Sequence, residues 1–206
     1  MAKLYFKFGA MGSSKTAQAL MTKFNYEEKD QTVWLIKPAT DTRDDRVDGD
    51  GKLVTVLRSR IGLYAAAEAV GSDVDLFEEF KARSADGKKY TDVVICDECQ
   101  FLTERQVEQL KDMADKLDVP ALCFGLRADF RTRLFPGSKR LFEIADSITE
   151  IKSICRCGRK ATVNARFDDD GEIVTEGAQV VLGGNDRYEG MCYKCYRELI
   201  EKKLLR

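Results

Sequence analysis

Leu4-Tyr5-Phe6-Lys7-Phe8-Gly9-Ala10-Met11-Gly12-Ser13-Ser14-Lys15-Thr16 is an apolar run that breaks at a glycine and resumes as a helical pattern. Its last eight residues follow the G-x-x-x-x-(small)-K-T pattern in a strand–turn–helix setting. In such a loop, successive backbone N–H groups and the N-terminus of the next helix form a concavity for anions. Gly9, Ala10, Met11, Gly12, Ser13 and Ser14 would cradle phosphates, Lys15 would reach the terminal ones, and the Thr16 hydroxyl would face Mg²⁺. Ser14 stands where the pattern carries glycine. Alone, the loop points to a nucleoside triphosphate and leaves the fate of the phosphate open.

Working outward, Thr32–Ile36, Val93–Cys96 and Ala121–Gly125 read as further core strands, with helices over Lys15–Asn25, Gly62–Ala69 and Glu104–Leu117, the last capped by Thr103. Strands alternating with helices imply an α/β fold: a P-loop, RecA-like parallel sheet flanked by helices, with right-handed crossovers and ligands at the carboxyl ends of the strands. Asp41–Lys52 is a polar, glycine-bearing loop. The character changes near residue 150, so 1–150 is read as the ATP-binding domain and 151–206 as a small β-rich subdomain. The latter would hold strands at Ala161–Phe167 and Glu172–Glu176 about a turn at Asp169-Asp170-Gly171, a Gly183-Gly184 loop and a closing helix, Tyr196–Leu205.

Composition narrows the chemistry. The 206 residues carry a formal net charge of −1, against the basic stripe expected of a nucleic-acid binder. No run is long and apolar enough for a bilayer and no export signal opens the chain, so a cytoplasmic protein is expected, with no membrane or nucleic-acid partner. Histidine is absent, so a general base must come from Asp, Glu, Lys, Tyr or Cys, and a soft metal site must be built from thiolates.

Val93–Cys96 runs into Asp97-Glu98. In phosphate-loop enzymes the first acidic residue holds Mg²⁺, and a second carboxylate beside the terminal phosphate can take a proton from an attacking hydroxyl. Arg43 and Arg46 after the second strand, and Arg127, Arg131 and Arg133 after the fourth, are candidates for phosphate charge. Cys155-Arg156-Cys157 and Cys192-Tyr193-Lys194-Cys195 are two close pairs flanking the β segment, the spacing of a structural Cys₄ zinc site, although the first pair is one residue short of C-x-x-C. Cys96, Cys99 and Cys123 lie in or beside core strands and read as packing residues.

Five islands then resemble the type II thymidine kinases: Gly9–Thr16; Lys37-Pro38-Ala39-Thr40-Asp41-Thr42-Arg43; Asp97-Glu98-Cys99-Gln100-Phe101; Gly125-Leu126-Arg127-Ala128-Asp129-Phe130; and Val181-Leu182-Gly183-Gly184 through Tyr188, followed by Cys192 and Cys195. The resemblance spans nearly the whole chain. It implies ATP and Mg²⁺ on Gly9–Thr16, Asp97, Gln100 and Arg43, with Glu98 as general base for the thymidine 5′-hydroxyl. It implies nucleoside contacts from Phe101, Arg127, Phe130 and Tyr188, and from a lasso loop through Val180, Val181, Leu182, Gly183 and Gly184. It further implies structural Zn²⁺ on the four cysteines, a homotetramer, and feedback inhibition by thymidine triphosphate. The alternative is a zinc-ribbon, nucleic-acid-stimulated P-loop ATPase; a non-enzymatic zinc module is opposed by the intact Lys15, Thr16, Asp97 and Glu98.

Overall fold

A computed structural model describes residues 1–47, 49, 53–85, 91–179 and 188–205. Its centre is a sheet of six strands: β1 (Leu4–Phe8), β2 (Val33–Pro38), β7 (Glu68–Val70), β8 (Val93–Cys96), β9 (Ala121–Gly125) and β10 (Ser147–Glu150). They lie in the order β10-β1-β9-β8-β2-β7, and every pairing is parallel. The inner four strands are the four apolar runs read from the sequence, because helices cover both faces of a parallel sheet and leave its central strands no polar side. Leu4 and Phe6 turn to one face, with Trp34, Val94 and Cys96, under α2 (Leu76–Ala85), α3 (Glu104–Leu117) and α4 (Pro136–Ile144). Val93, Ile95, Leu122 and Phe124 turn to the other, against Ala19 and Leu20 of α1 (Lys15–Glu27).

Helix α3 begins where expected. Thr103 Oγ1 accepts from the Gln106 N–H at 3.1 Å and Gln106 Oε1 accepts from the Thr103 N–H at 3.1 Å, a reciprocal capping box. Thr103→Ala should cost about 1 kcal/mol in chemical denaturation, the usual worth of such a cap.

The segment expected as a helix over Gly62–Ala69 is strand instead. β5 (Val56–Arg58) and β6 (Tyr64–Ala66) form an antiparallel hairpin, and β7 then joins the sheet beside β2. The alanine-rich stretch has helical propensity, but tertiary pairing overrides a preference worth only tenths of a kcal/mol per residue. The loop over Asp41–Lys52 holds two short strands, β3 (Arg46–Val47) and β4 (Leu53–Val54), within and just beyond its described part. The edge strand β10 and helices α2 and α4 had no counterpart in the sequence reading. β10 is short, polar and half exposed, as an edge strand can be.

Past Glu150 the chain forms β11 (Val163–Arg166), β12 (Tyr188–Met191) and α5 (Tyr193–Leu204). β11 pairs antiparallel with β12 and not with the expected strand at Glu172–Glu176, which contributes only an isolated bridge, Phe167 to Ile173. The turn at 168–171 is present: the Gly171 N–H donates to the Asp168 carbonyl at 3.1 Å, with Gly171 at φ 78°.

Candidate active site

The carboxyl ends of β1, β9, β8 and β2 lie side by side, and each delivers one part of the site. From β1 comes the phosphate loop. Lys15 is buried, and its Nζ donates to the carbonyls of Gly9 at 3.2 Å and Ala10 at 2.9 Å and to Ser13 Oγ at 3.3 Å. Burial holds its ammonium below the usual lysine range, opposed by the carboxylates of Glu98 and Asp97. Ser14 has φ 61° and ψ 28°, the left-handed region. This explains why the pattern prefers glycine there: a Cβ costs about 1–2 kcal/mol in that conformation. Ser14→Gly should therefore leave ATP affinity intact and raise stability by up to about 1 kcal/mol, measured by thermal or denaturant unfolding.

From β8 come Asp97 and Glu98. Asp97 is buried against the Thr16 hydroxyl, and its Oδ1 has no hydrogen-bond partner among the described residues. Burial and the neighbouring Glu98 charge push its carboxyl up to about 7, although the Thr16 hydrogen bond opposes the shift. Glu98 itself takes φ 50° and ψ 34°, at the start of a 3-10 turn over Cys99–Phe101. A non-glycine residue held there is strained by about 1–3 kcal/mol, a cost that concentrates at functional sites. Gln100 Nε2 donates to Glu98 Oε2 at 2.5 Å, and Gln100 Oε1 accepts from the Leu126 N–H at 2.9 Å. Buried Gln100 thereby ties the acidic turn to the end of β9.

From the turn after β2 comes Arg43, which bridges Asp41 Oδ1 at 2.6 Å and the Glu98 carboxylate. Burial alone would lower its guanidinium pKa, and the two carboxylates reverse that and raise it. Burial likewise favours a neutral Asp41, but Arg43 and Lys37 hold that carboxyl below its ordinary range. Behind it, fully buried Lys37 sits 2.9 Å from Asp45 and 3.7 Å from Asp41, and donates to the Val56 carbonyl at 3.3 Å. A buried ammonium persists only when so paired. The cleft is lined by Met11–Ala17, Asp41, Arg43, Asp44, Asp97, Glu98 and the β5–β6 hairpin, Leu57–Ile61.

The other expected residues lie elsewhere. Of the five arginines, only Arg43 lines the cleft. Arg131 pairs with Asp129, and Arg127 Nη2 donates to the Thr162 carbonyl at 2.8 Å beside a separate small cavity. Phe101 packs edge-on against Phe135. Phe130 is buried, with the Arg166 guanidinium 5.1 Å and that of Arg131 5.5 Å from its ring centre, and its carbonyl accepts from the Tyr196 hydroxyl at 2.7 Å. Tyr188 faces Arg166 in the β11–β12 ladder, so β11 gathers Phe130 and Tyr188 into one neighbourhood. Val180, Val181, Leu182, Gly183 and Gly184 lie outside the described residues.

The four sulfurs of Cys155, Cys157, Cys192 and Cys195 all lie within 4.8 Å of one another. A tetrahedron with zinc–sulfur bonds of about 2.3 Å has edges near 3.8 Å, so the set fits a single ion closely. The short first pair still closes: the Gly158 N–H donates to the Cys155 carbonyl at 2.8 Å and Gly158 takes φ 82°, folding the chain into a knuckle. Cys192 caps α5, and the Cys195 N–H on its sulfur leads the contributions that bring the thiol down to about 6.

Sequence reading gave no role to Lys37 of the Lys37–Arg43 island and missed Asp45, the hairpin residues Arg58, Ser59 and Arg60, and Asn164. Asn164 Oδ1 accepts from the Met11 N–H at 2.8 Å and its Nδ2 donates to the Ala128 carbonyl at 2.8 Å. A lysine inside the apolar β2 run, followed by Asp41, was a usable signal for the first; an isolated asparagine carries none.

Comparison with known proteins decides among the functions this geometry allows. Residues 2–196 match the profile of the thymidine kinase family. The chain belongs to the thymidine kinase family. The thymidine kinase of Vibrio vulnificus is 43% identical over 202 residues, 98% of this chain and 100% of that protein. The thymidine kinase of Salmonella paratyphi A is 44% identical over 202 residues, 98% of this chain and 94% of its own. Among solved structures, an ATPase domain matches over 85% of each chain at 16% identity and a TM-score of 0.46, too distant to inform the chemistry. Like other members of the thymidine kinase family, the chain is a nucleoside kinase. Among the described residues, no helix is long and apolar enough to cross a membrane.

Proposed function

We propose that the chain transfers the γ-phosphoryl group of ATP to the 5′-hydroxyl of thymidine, with deoxyuridine as a second acceptor, in deoxynucleoside salvage. The observation that carries this reading is the Glu98 carboxylate, held by Arg43 and Gln100 beside the Lys15–Thr16 loop in a thymidine kinase family chain. Glu98 takes the proton of the 5′-hydroxyl as that oxygen attacks, and Gln100 and Arg43 fix its orientation. Lys15 and the loop N–H groups hold the phosphates in line; such transfer depends on positioning and charge more than on covalent catalysis.

Thr16 and Asp97 would hold Mg²⁺: the buried, unpartnered Asp97 Oδ1 is a hard oxygen ligand of the kind that ion takes. When bound, it neutralises phosphate charge. Cys155, Cys157, Cys192 and Cys195 would hold Zn²⁺, which supplies cross-linking and no chemistry of its own. Phe130 and Tyr188, with Phe101, Arg127 and the lasso residues 180–184, form the nucleoside side of the proposal. A division at residue 150, a cytoplasmic homotetramer and inhibition by thymidine triphosphate complete it, supported by family membership.

The test is ATP consumption with thymidine, deoxyuridine, other nucleosides or DNA as the second component. Thymidine 5′-monophosphate should form, and DNA should stimulate nothing. ATP hydrolysis driven by DNA, without transfer to thymidine, would overturn the reading.

A further inference from the structure

The β5–β6 hairpin is built to hold one side chain over the phosphate loop. Its base is anchored twice: Leu57 packs with Ala19 and Leu20 of α1, and the Val56 carbonyl accepts from Lys37. Its tip is a closed turn. The Ser59 N–H donates to the Leu63 carbonyl at 2.8 Å, the Leu63 N–H to Ser59 Oγ at 3.0 Å, and the Gly62 N–H to the Ser59 carbonyl at 3.0 Å. Arg60 stands at the second position of that turn. A Cβ placed on Gly12 would lie 4.0 Å from Arg60 Nη1, so the guanidinium sits directly above the loop.

Two cleft cations are committed to protein groups, whereas Arg58 and Arg60 of the hairpin are not among the described residues, and of these two Arg60 is the one whose guanidinium approaches Gly12. Lys15 donates to loop carbonyls and Ser13, and Arg43 is committed to Asp41 and Glu98. Arg60 has no hydrogen-bond or ion-pair partner among the described residues, although it lines the cleft with Asp97 and Glu98. An exposed arginine carried on a hydrogen-bonded turn, in the same cleft as Asp97 and Glu98 and bonded to neither, is placed for a ligand. Its planar fork matches phosphate oxygens in pairs.

We infer that Arg60 is a further catalytic residue, clamping the γ-phosphoryl group of ATP from the side opposite the loop. The inference rests on the nucleoside-kinase reading. In the transfer, a bond forms between the acceptor oxygen and the γ-phosphorus, and the bond from that phosphorus to the β–γ bridging oxygen breaks. The acceptor proton passes to Glu98, and ADP leaves with the bridging electron pair. Arg60 stabilises the charge spread over the moving phosphoryl oxygens, work that in other phosphoryl-transfer enzymes falls to an arginine supplied from the same chain or a partner.

The experiment compares the full-length wild type with R60A and R60K by three measurements: steady-state thymidine phosphorylation, binding of the β,γ-imido analogue of ATP against ADP, and thermal melting. R60A should lose about 10²–10³-fold in kcat, the usual cost of one donor to developing charge. Its thymidine KM should stay within about twofold, because Arg60 meets the phosphoryl donor and not the acceptor. The preference for the imido analogue over ADP should narrow about tenfold, and R60K should recover part of it, a point charge replacing a fork. Melting temperatures should match. A kcat for R60A within about threefold of wild type would overturn the inference, as would equal loss in R60A and R60K with lowered melting temperatures. Failure of the underlying reading looks different: the wild type itself would transfer nothing to thymidine, while the analogue-versus-ADP comparison would still report on Arg60.

Discussion

Glu98→Gln should lower kcat by about 10²–10⁴-fold, the usual contribution of a general base. The substitution keeps the size of the side chain and one oxygen for Arg43, and Arg43 also retains Asp41 at 2.6 Å, so the fold should persist. What disappears is the ability to accept the proton of the 5′-hydroxyl. Glu98 also occupies φ 50°, a strained setting of the kind that recurs at functional sites. Thymidine phosphorylation, together with a melting curve, makes the measurement. Turnover near wild type in a folded Glu98→Gln protein would remove Glu98 from the base role.

The second large effect should follow loss of one sulfur. Cys192→Ser should destabilise the protein by more than about 4 kcal/mol, in the range reserved for loss of a bound metal. Cys192 caps α5 and is buried in the cluster that holds Val163, Met191 and Tyr196, so an incomplete site loosens the whole small subdomain. The damage should reach the ATP site. Ala10 of the phosphate loop belongs to that same cluster, Asn164 accepts from the Met11 N–H, and any Cβ on Gly190 would meet the Met11 carbonyl at 2.5 Å. KM for ATP should therefore rise along with KM for thymidine. Elemental analysis, denaturant unfolding and kinetics on wild type and variant make the test. Active, stable wild-type protein without stoichiometric zinc would refute it.

Much of the site was legible because its chemistry sits in short, contiguous stretches. Gly9–Thr16 and Asp97-Glu98 each join a strand end to its turn, and the two cysteine pairs are local knuckles; all report themselves through residue type and spacing. The partners that hold them in place are dispersed. Lys37 contacts Asp45 and the Val56 carbonyl, Gln100 reaches the Leu126 N–H, and Asn164 reaches Met11. Such pairings depend on how distant segments meet, and no local pattern encodes them.

The same division holds for the fold. Nearly continuous apolar runs mark the four central strands, because a strand covered by helices on both faces has little room for polar groups. Buried Lys37 is held there by its carboxylate partners. The capping box marks the start of α3, because it satisfies helix-end donors within four residues. Burial pattern and cap chemistry are local, so residue order alone reveals them. Packing settled the rest. Tyr64–Ala66 is strand and not helix because β5 lies beside it, β10 exists because β1 offers it an edge, and β11 pairs with β12 across the cysteine cluster. Weak local preference yields there to hydrogen bonds and buried contacts that form only when the chain closes on itself, and that closure also brings Arg60 over the phosphate loop.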